Sequence, residues 1–556
     1  MNYYGKLKTY SELAWAGYAT FLSADDSGII STTGMQRYNF RKQFKVIDSY
    51  EQREGGSGFQ ATLFKNIDTE EYILSIRGTE TGSHPIKWYE MAKDLLADVV
   101  LTTDFVPKSQ AYDMIKFITK LKSSNLISEN SKVTIVGHSL GGTLAQIAAK
   151  MFPNLFDECY TFNSPSGKDL GSKKIYKEDG KYFWIGNETV NFKHYLDNIV
   201  GKALYDYQNS PMTTSVTDIR AKDAFSLIAN LGWKERFGEL VEVSGESHSI
   251  ADLTKILYFY DEMIRNGVSE KDITNYLSGY YQIPSKIFDN KKSVEHIASK
   301  TLNAINKIVN GDNTKQKDII DIAIDFEKNN TKFSIEFIFS NGFNQATFPN
   351  SSISTSALYA LVHLNPFIVS GVDSPAYKEL EKYKDEYSDN YIQDRIKMFD
   401  HFMHNVTDVG SYFYDMQRGV SHGITDGANH GTSDNTNPYI HKITNQFIFG
   451  TNQNDVIKDA VALLDDNVKT RVYSLAGDDN IKIVGGSAYI EAGSGNDTID
   501  LRGSKGENTV YGGVNNDKED KDYDDGDDTI YGGEGKDTIY GGSGKDTIYT
   551  DNVDKE

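Results

Sequence analysis

Apolar and polar positions alternate along this chain with two different periods, and the period changes with position. In "VTIVGHSLGGTLAQIAAKMF", which begins at Val133, four apolar or β-branched residues lead into a glycine-flanked turn around Ser139. Beyond the turn, Leu144, Ile147, Ala148, Met151 and Phe152 fall at i, i+3, i+4, i+7 and i+8, the spacing of a helix with one buried face. "EEYILSIRGTE" and "SKVTIVGHS" read as buried strands, and "AYDMIKFITKLKSS" reads as a helix. Strands alternating with helices predict a parallel α/β sheet over residues 1–265. Over 266–445 the spacing is mostly helical, as in "SVEHIASKTLNAINKIVNG" and "YIQDRIKMFDHFMHN", with polar stretches such as "GITDGANHGTSDNTNP" that read as loops.

From 446 to 556 the chain is repetitive and rich in glycine and aspartate. "GGEGKDTIY" and "GGSGKDTIY" stand in direct tandem, nine residues each. A nine-residue grid, slipped by two residues at two points, begins units at 474, 483, 492, 503, 512, 523, 532 and 541. Their sixth positions are Asp479, Ala488, Asp497, Asn508, Asp517, Asp528, Asp537 and Asp546. Their eighth positions are apolar, except for Glu519. "FGTNQNDVIK", around Asp455, is a further, separated unit. Glycine permits the tight turn, isoleucine supplies a short strand, and aspartate offers the hard oxygen that calcium selects. Crowded carboxylates repel one another without a cation, so binding becomes part of folding.

Composition narrows the partners. The chain of 556 residues has 79 Asp+Glu against 58 Lys+Arg, a net charge of −21. That balance argues against nucleic acid and against electrostatic docking on anionic membranes. A single cysteine, Cys159, cannot form an intramolecular disulfide. The first residues lack a basic end followed by an apolar run, so no cleavable N-terminal signal peptide is expected. The most apolar mid-chain run, "SALYALVHLNPFIVSG", is too short to span a bilayer.

Whether Ser139 is a nucleophile or a structural serine in a turn depends on what else the chain supplies. A following helix aims backbone N–H groups at it. Thr79, at the end of the strand in "YILSIRGTE", is placed to donate an oxyanion N–H together with Leu140. Downstream histidines are His194 and His248, and the intervening aspartates are Asp157, Asp169, Asp179, Asp197, Asp206, Asp218 and Asp223. The order Ser, Asp, His fits Ser139 and His248 with an acid between them, and Asp197 is taken as that acid for its place at a strand's end. "NFKHYLDNIVGKAL" reads as a strand running into a loop with Asp197 at the strand's end, and His248 sits in a loop of small residues before a helix. His194 precedes Asp197, the wrong order for a base. His401 and His404, three apart on a helix, suggest a metal pair, but surface histidines are the more economical reading because no cysteine or carboxylate cluster joins them.

"SIRGTE", "GHSLGG", "TFNSPSG", the Asp of "YLDNIV" and "ESHSI" together resemble the class 3 (fungal-type) lipase family of α/β-hydrolases. The likeness spans roughly residues 60–265 and falls on the same Ser139, Asp197, His248, Thr79 and Leu140. It implies a lid in "TGSHPIKWYEMAKDLLADV", with Trp88 a lid or acyl-groove residue. The tail resembles the RTX calcium-binding nonapeptide repeats. That resemblance implies a parallel β-roll with several structural calcium ions, one row on Asp479, Asp497, Asp517 and Asp537 and a degraded row on Ala488, Asn508, Asp528 and Asp546, with Asp455 in the separated unit. It also implies secretion to the cell exterior by type I machinery. The expected whole is an α/β-hydrolase domain, a mostly helical connector and a β-roll. Its expected activity is a serine hydrolase that meets a lipid interface transiently and cleaves acyl esters of lipids, as a triacylglycerol lipase or phospholipase A1. A carboxylesterase or amidase, and a calcium-dependent adhesin or toxin with an inert hydrolase domain, stay open as alternatives.

Overall fold

The computed structural model describes residues 2–18, 40, 42–51, 58–78, 108–128, 130–164, 175–185, 193–196, 198–209, 211–222, 237–278, 293–311, 316–329, 331–338, 353–404, 410–423, 443–458, 467–515 and 525–550. The chain divides into two compact units. The first holds 1–265, 293–303 and 316–331, and the second holds 266–292, 304–315 and 332–556.

Among the described residues, the first unit holds a seven-stranded sheet. Its strands are β1 (Phe44–Glu51), β2 (Gln60–Asn66), β3 (Tyr72–Ile76), β4 (Val133–His138) and β5 (Glu158–Phe162), followed in space by β9 (Ser215–Ala221) and β10 (Glu239–Val243). The first three strands are antiparallel neighbours, and every pair from β3 to β10 is parallel. Every residue of β4 is buried, as a central parallel strand covered on both faces requires. A separate three-stranded antiparallel sheet holds β6 (Ile175–Glu178), β7 (Lys181–Ile185) and β8 (Lys193–Leu196).

Helices cover the two faces of the large sheet. On one, Met114, Phe117, Ile118 and Leu121 of α2 (Lys108–Ser123) and Leu144, Ile147 and Met151 of α3 (Leu140–Met151) pack with Ala203 and Tyr207 of α4 (Asn198–Asn209) over Leu74, Ile135 and Cys159. On the other lies α1 (Tyr3–Ala16), started by Asn2, whose side chain accepts from Gly5 N at 2.6 Å. Tyr10 of α1 stacks on Tyr160 of β5 at 4.4 Å, and Ser75 Oγ of β3 donates to Leu13 O at 2.8 Å. Tyr4 stacks on Tyr260 of α5 (Ile250–Arg265) at 5.0 Å, and Lys8 Nζ meets Asp261 Oδ2 at 2.7 Å. The alternation within β3 and β5 is what lets one strand serve both layers. The strand expected before Asp197 is β8, but α4 begins at Asn198 where a loop was expected.

The second unit contains short helices α6 (Glu270–Leu277), α9 (Thr355–Val362), α10 (Pro375–Glu381) and α11 (Asp389–His404), and a two-stranded ladder of β11 (Ser334–Phe337) and β12 (Phe367–Ser370). Between α6 and α9 in the chain lie α7 (Val294–Asn310), which runs across the division between the units, and α8 (Ile319–Asn329) of the first unit. Among the described residues no helix is long and apolar enough to cross a membrane. His401 is buried against Phe413, with ring centres 4.9 Å apart, so it is not the surface histidine that was expected.

The remainder of this unit is a roll of two sheets, parallel throughout except for one antiparallel pair at the edge of the first. One sheet runs, in spatial order, through β14 (Val420–Gly423), β13 (Ser411–Asp415), β15 (Asn445–Phe449), β17 (Lys469–Tyr473), β19 (Ser487–Glu491), β21 (Thr509–Tyr511) and β23 (Thr538–Tyr540). The facing sheet runs through β16 (Val456–Lys458), β18 (Asn480–Lys482), β20 (Thr498–Asp500), β22 (Thr529–Tyr531) and β24 (Thr547–Tyr549). Register stacks Ile448, Val472, Ile490, Val510 and Ile539 in one sheet, and Ile457, Ile481, Ile499, Ile530 and Ile548 in the other. Most of these side chains share one core, which no single unit could bury alone.

This pairing corrects the expected rows. Because β20 pairs with β22 and β21 with β23, Asp528 and Asp546 continue the row of Asp479 and Asp497, and Asp537 continues the row of Ala488 and Asn508. Residues 512–528 connect β21 to β22 in the chain, and 516–524 of them lie outside the described residues. The nine-residue grid had made two units of that stretch. Glu519 puts a charge at the position that isoleucine and valine hold in every other unit, where burial is costly. Asp517 lies outside the described residues.

Ile499 is fully buried between Ile481 and Ile530. Replacing it by alanine should destabilise the roll by about 2–5 kcal/mol. A lowered thermal midpoint of the second unit, followed by circular dichroism in calcium, would show it.

Candidate functional site

The site in the first unit begins with a strained residue. Ser139 joins β4 to α3 with φ +54° and ψ −129°, a conformation non-glycine residues rarely hold. Strand pairing fixes its place, since Ser139 N donates to Phe162 O at 3.0 Å. The sharp turn brings backbones together: a Cβ on Gly141 would lie 2.3 Å from Ile76 O, so the second motif position admits only glycine. Leu140 is the first residue of α3, where an N–H has no acceptor within the helix. The chain after β3 passes over the serine, for a Cβ on Gly78 would lie 3.4 Å from Ser139 Cβ. Thr79, the next residue, lies outside the described residues, as do Asp197 and Trp88.

His248 comes from the loop between β10 and α5, and its Nε2 is 3.1 Å from Ser139 Oγ. The structure thus brings these two together across 109 residues of sequence. Burial, aided by the nearby His138 ring and the Arg220 guanidinium, pushes the His248 imidazole down to about 3, so it is neutral near pH 7 and able to accept a proton.

Three side chains outside the expected set hold that loop. His138 Nε2 is 2.8 Å from His248 O, and a carbonyl can only accept, so Nε2 carries the proton. Burial pushes the His138 ring down to about 4 and keeps it neutral, which leaves Nδ1 as the acceptor for Tyr18 Oη at 2.8 Å. Asn163, at the end of β5 with φ +45°, donates to His248 O at 3.2 Å and accepts from Ala221 N at 2.9 Å. One amide therefore ties the ends of β5 and β9 to the histidine loop. The sequence did carry signals, a second histidine inside "GHS" and an asparagine closing "YTFN", but their partners Tyr18 and Ala221 are far away in the chain.

The second unit carries a row of carboxylates. Asp455 N donates to Asp479 Oδ1 (2.7 Å), Asp479 N to Asp497 Oδ1 (2.7 Å), Asp497 N to Asp528 Oδ1 (2.8 Å) and Asp528 N to Asp546 Oδ1 (3.0 Å). The other oxygens, Oδ2 of Asp479, Asp497 and Asp528, are buried without a hydrogen-bond partner. Burial, with further pressure from neighbouring aspartates, pushes these carboxyls up to about 8, 9 and 7 respectively. Buried acceptors without donors are what a hard cation satisfies. Space has been left for them: a Cβ on Gly512 would lie 2.1 Å from Asp528 Oδ2. Among the described residues, no three His, Cys, Asp or Glu side chains gather at one point. A cation in this row would therefore complete its shell from backbone carbonyls of the turns.

A serine on a strand-to-helix elbow, with an imidazole at its hydroxyl and a parallel sheet beneath, is the arrangement of a lipase-like α/β fold. Comparison with known proteins agrees. Residues 29–178 match the family model described as the Tle-like phospholipase domain, a span that includes Ser139 and ends before Asp197 and His248. Residues 484–518 and 522–553 match the RTX calcium-binding nonapeptide repeat. The chain thus combines a phospholipase-like domain with calcium-binding repeats. No curated protein matches it. Among solved structures it is similar to the Lip2 lipase from Yarrowia lipolytica, at 14% identity over 44% of this chain and 79% of that one, with a TM-score of 0.26. It is likewise similar to a triacylglycerol lipase from Penicillium expansum, at 14% identity over 44% and 80%, with a TM-score of 0.23.

Asn163→Ala should cost about 1–3 kcal/mol, because the buried Ala221 N–H loses its acceptor. Chemical denaturation of the first unit measures that loss.

Proposed function

We propose that the chain is a serine hydrolase of lipid acyl esters, with phospholipids as the favoured substrate class. The observation that carries this is the 3.1 Å contact between His248 Nε2 and Ser139 Oγ at a strained elbow. Ser139 Oγ attacks the ester carbonyl while His248 Nε2 takes its proton. The oxyanion that forms is met by the Leu140 N–H, with Thr79 N–H as the second donor. His248 returns the proton to the departing alcohol, leaving an acyl-enzyme. Water, deprotonated by the same imidazole, then releases the fatty acid and restores Ser139. The phospholipase-like match over 29–178 supports the substrate class. The repeats support a structural use of calcium and a working place outside the cell, where that ion is plentiful.

For the acid that orients His248, Asp197 and Asp223 both lie outside the described residues, and their place along the chain is the ground for choosing between them. Asp197 follows β8, in the small antiparallel sheet. Asp223 comes two residues after β9, which lies in the large sheet beside β10, the strand that leads to His248. Chain position therefore supports Asp223 over Asp197. The acid's role is to accept from the second ring nitrogen and stabilise the imidazolium.

Ser139→Ala should abolish fatty-acid release from phosphatidylcholine vesicles with the circular dichroism spectrum unchanged. Activity equal to wild type removes Ser139 from the mechanism. Of Asp223→Asn and Asp197→Asn, the first should lower kcat by about 10⁴-fold and the second should leave it nearly intact. The reverse pattern restores Asp197.

A further inference from the structure

The two rows of the roll differ in what satisfies their side chains. In the row of Asp479, Asp497 and Asp528, one oxygen of each carboxylate is held by the backbone of the preceding turn. The second oxygen has no partner, although these residues are only 2%, 1% and 1% exposed. Protein donors are exhausted there, so a cation is what the geometry lacks.

The other row is closed. Ala488 brings no ligand. Asn508 Oδ1 accepts from Ala488 N at 2.8 Å and from Ser504 Oγ at 2.9 Å. Its Nδ2 donates to Asp537 Oδ1 at 2.8 Å and to Gly506 O at 3.2 Å. The orientation of this amide is fixed chemically, because a backbone N–H demands an oxygen on one side and a carbonyl demands an N–H on the other. Asp537 Oδ2 accepts from Gly533 N at 2.7 Å. Every side-chain oxygen of this row thus has a donor from the protein, and the amide N–H stands against Asp537 where a positive charge would otherwise sit.

We propose that the roll takes up calcium along one row only, that of Asp479, Asp497 and Asp528, and that Asn508 closes the opposite row without an ion. This rests on the calcium reading of the repeats and assigns the ions to particular turns. It also makes the two sheets unequal. The turns entering β18, β20 and β22 depend on calcium to relieve their carboxylates, whereas the turns entering β19, β21 and β23 assemble on hydrogen bonds from the protein itself. The second set can serve as a preformed edge on which the first is completed when calcium arrives.

The test counts calcium bound per full-length chain by equilibrium dialysis, with circular dichroism recording folding. Asp497→Asn should lose bound ion relative to wild type. Asp537→Asn should lose none. Asn508→Asp, which sets a second carboxylate beside Asp537, should gain an ion. Loss of an ion in Asp537→Asn, or an unchanged count in Asp497→Asn, overturns the one-row assignment. Asp537→Asn keeps the test decisive if Asn508→Asp fails to fold. A wild-type chain that binds no calcium at all defeats the calcium reading itself, a different result from either of these.

Discussion

The first unit depends on one backbone constraint: a buried parallel strand must become a helix within a single residue. Ser139 carries that turn at positive φ, and the surroundings hold it there. Residues held this way cost of order 1–3 kcal/mol and persist only where neighbours over-determine them. Here the neighbours are the N–H bond to Phe162 O, the close backbone approach at Gly141 and the buried helix face of α3. The strain also places the hydroxyl at the strand end and directs the first helical N–H groups beside it. Stability and chemistry therefore draw on the same few atoms.

The second unit solves a different problem, in which no single turn can stand alone. Its apolar ladder sets register, and register decides which aspartates become neighbours. The aspartates are thus passengers of the isoleucines: once Ile499 stacks on Ile530, Asp497 must face Asp528. Their unsatisfied oxygens are a local cost that a bound ion offsets.

Much of this was legible in the sequence, and the limits have physical causes. The period around Val133–Phe152 announced strand, elbow and helix, and chain order selected His248, because those signals are local. The acid was harder. Asp197 and Asp223 both stand between Ser139 and His248, each just after a strand, so spacing along the chain does not separate them. Rows of the roll failed for a related reason. A grid counts residues, whereas strands pair by side-chain burial, and the polar stretch around Glu519 shifted the count without shifting the pairing. His138, Tyr18 and Asn163 were illegible as a set, since each is ordinary alone and meaningful only where distant strand ends meet.

The 17 residues between β21 and β22, 512–528, show that the stack tolerates extra chain. Their counterpart one turn earlier needs only 492–497, yet both apolar ladders run past the longer connection without interruption. Added length between two paired strands costs little, about 0.6 kcal/mol per doubling of a flexible connection. The stack is therefore modular in a practical sense: a peptide, a fluorophore or a whole domain could be spliced between β21 and β22 while the strand pairing on either side is kept. Evolution would have the same freedom, to lengthen this protein from the middle outward without redrawing its interior.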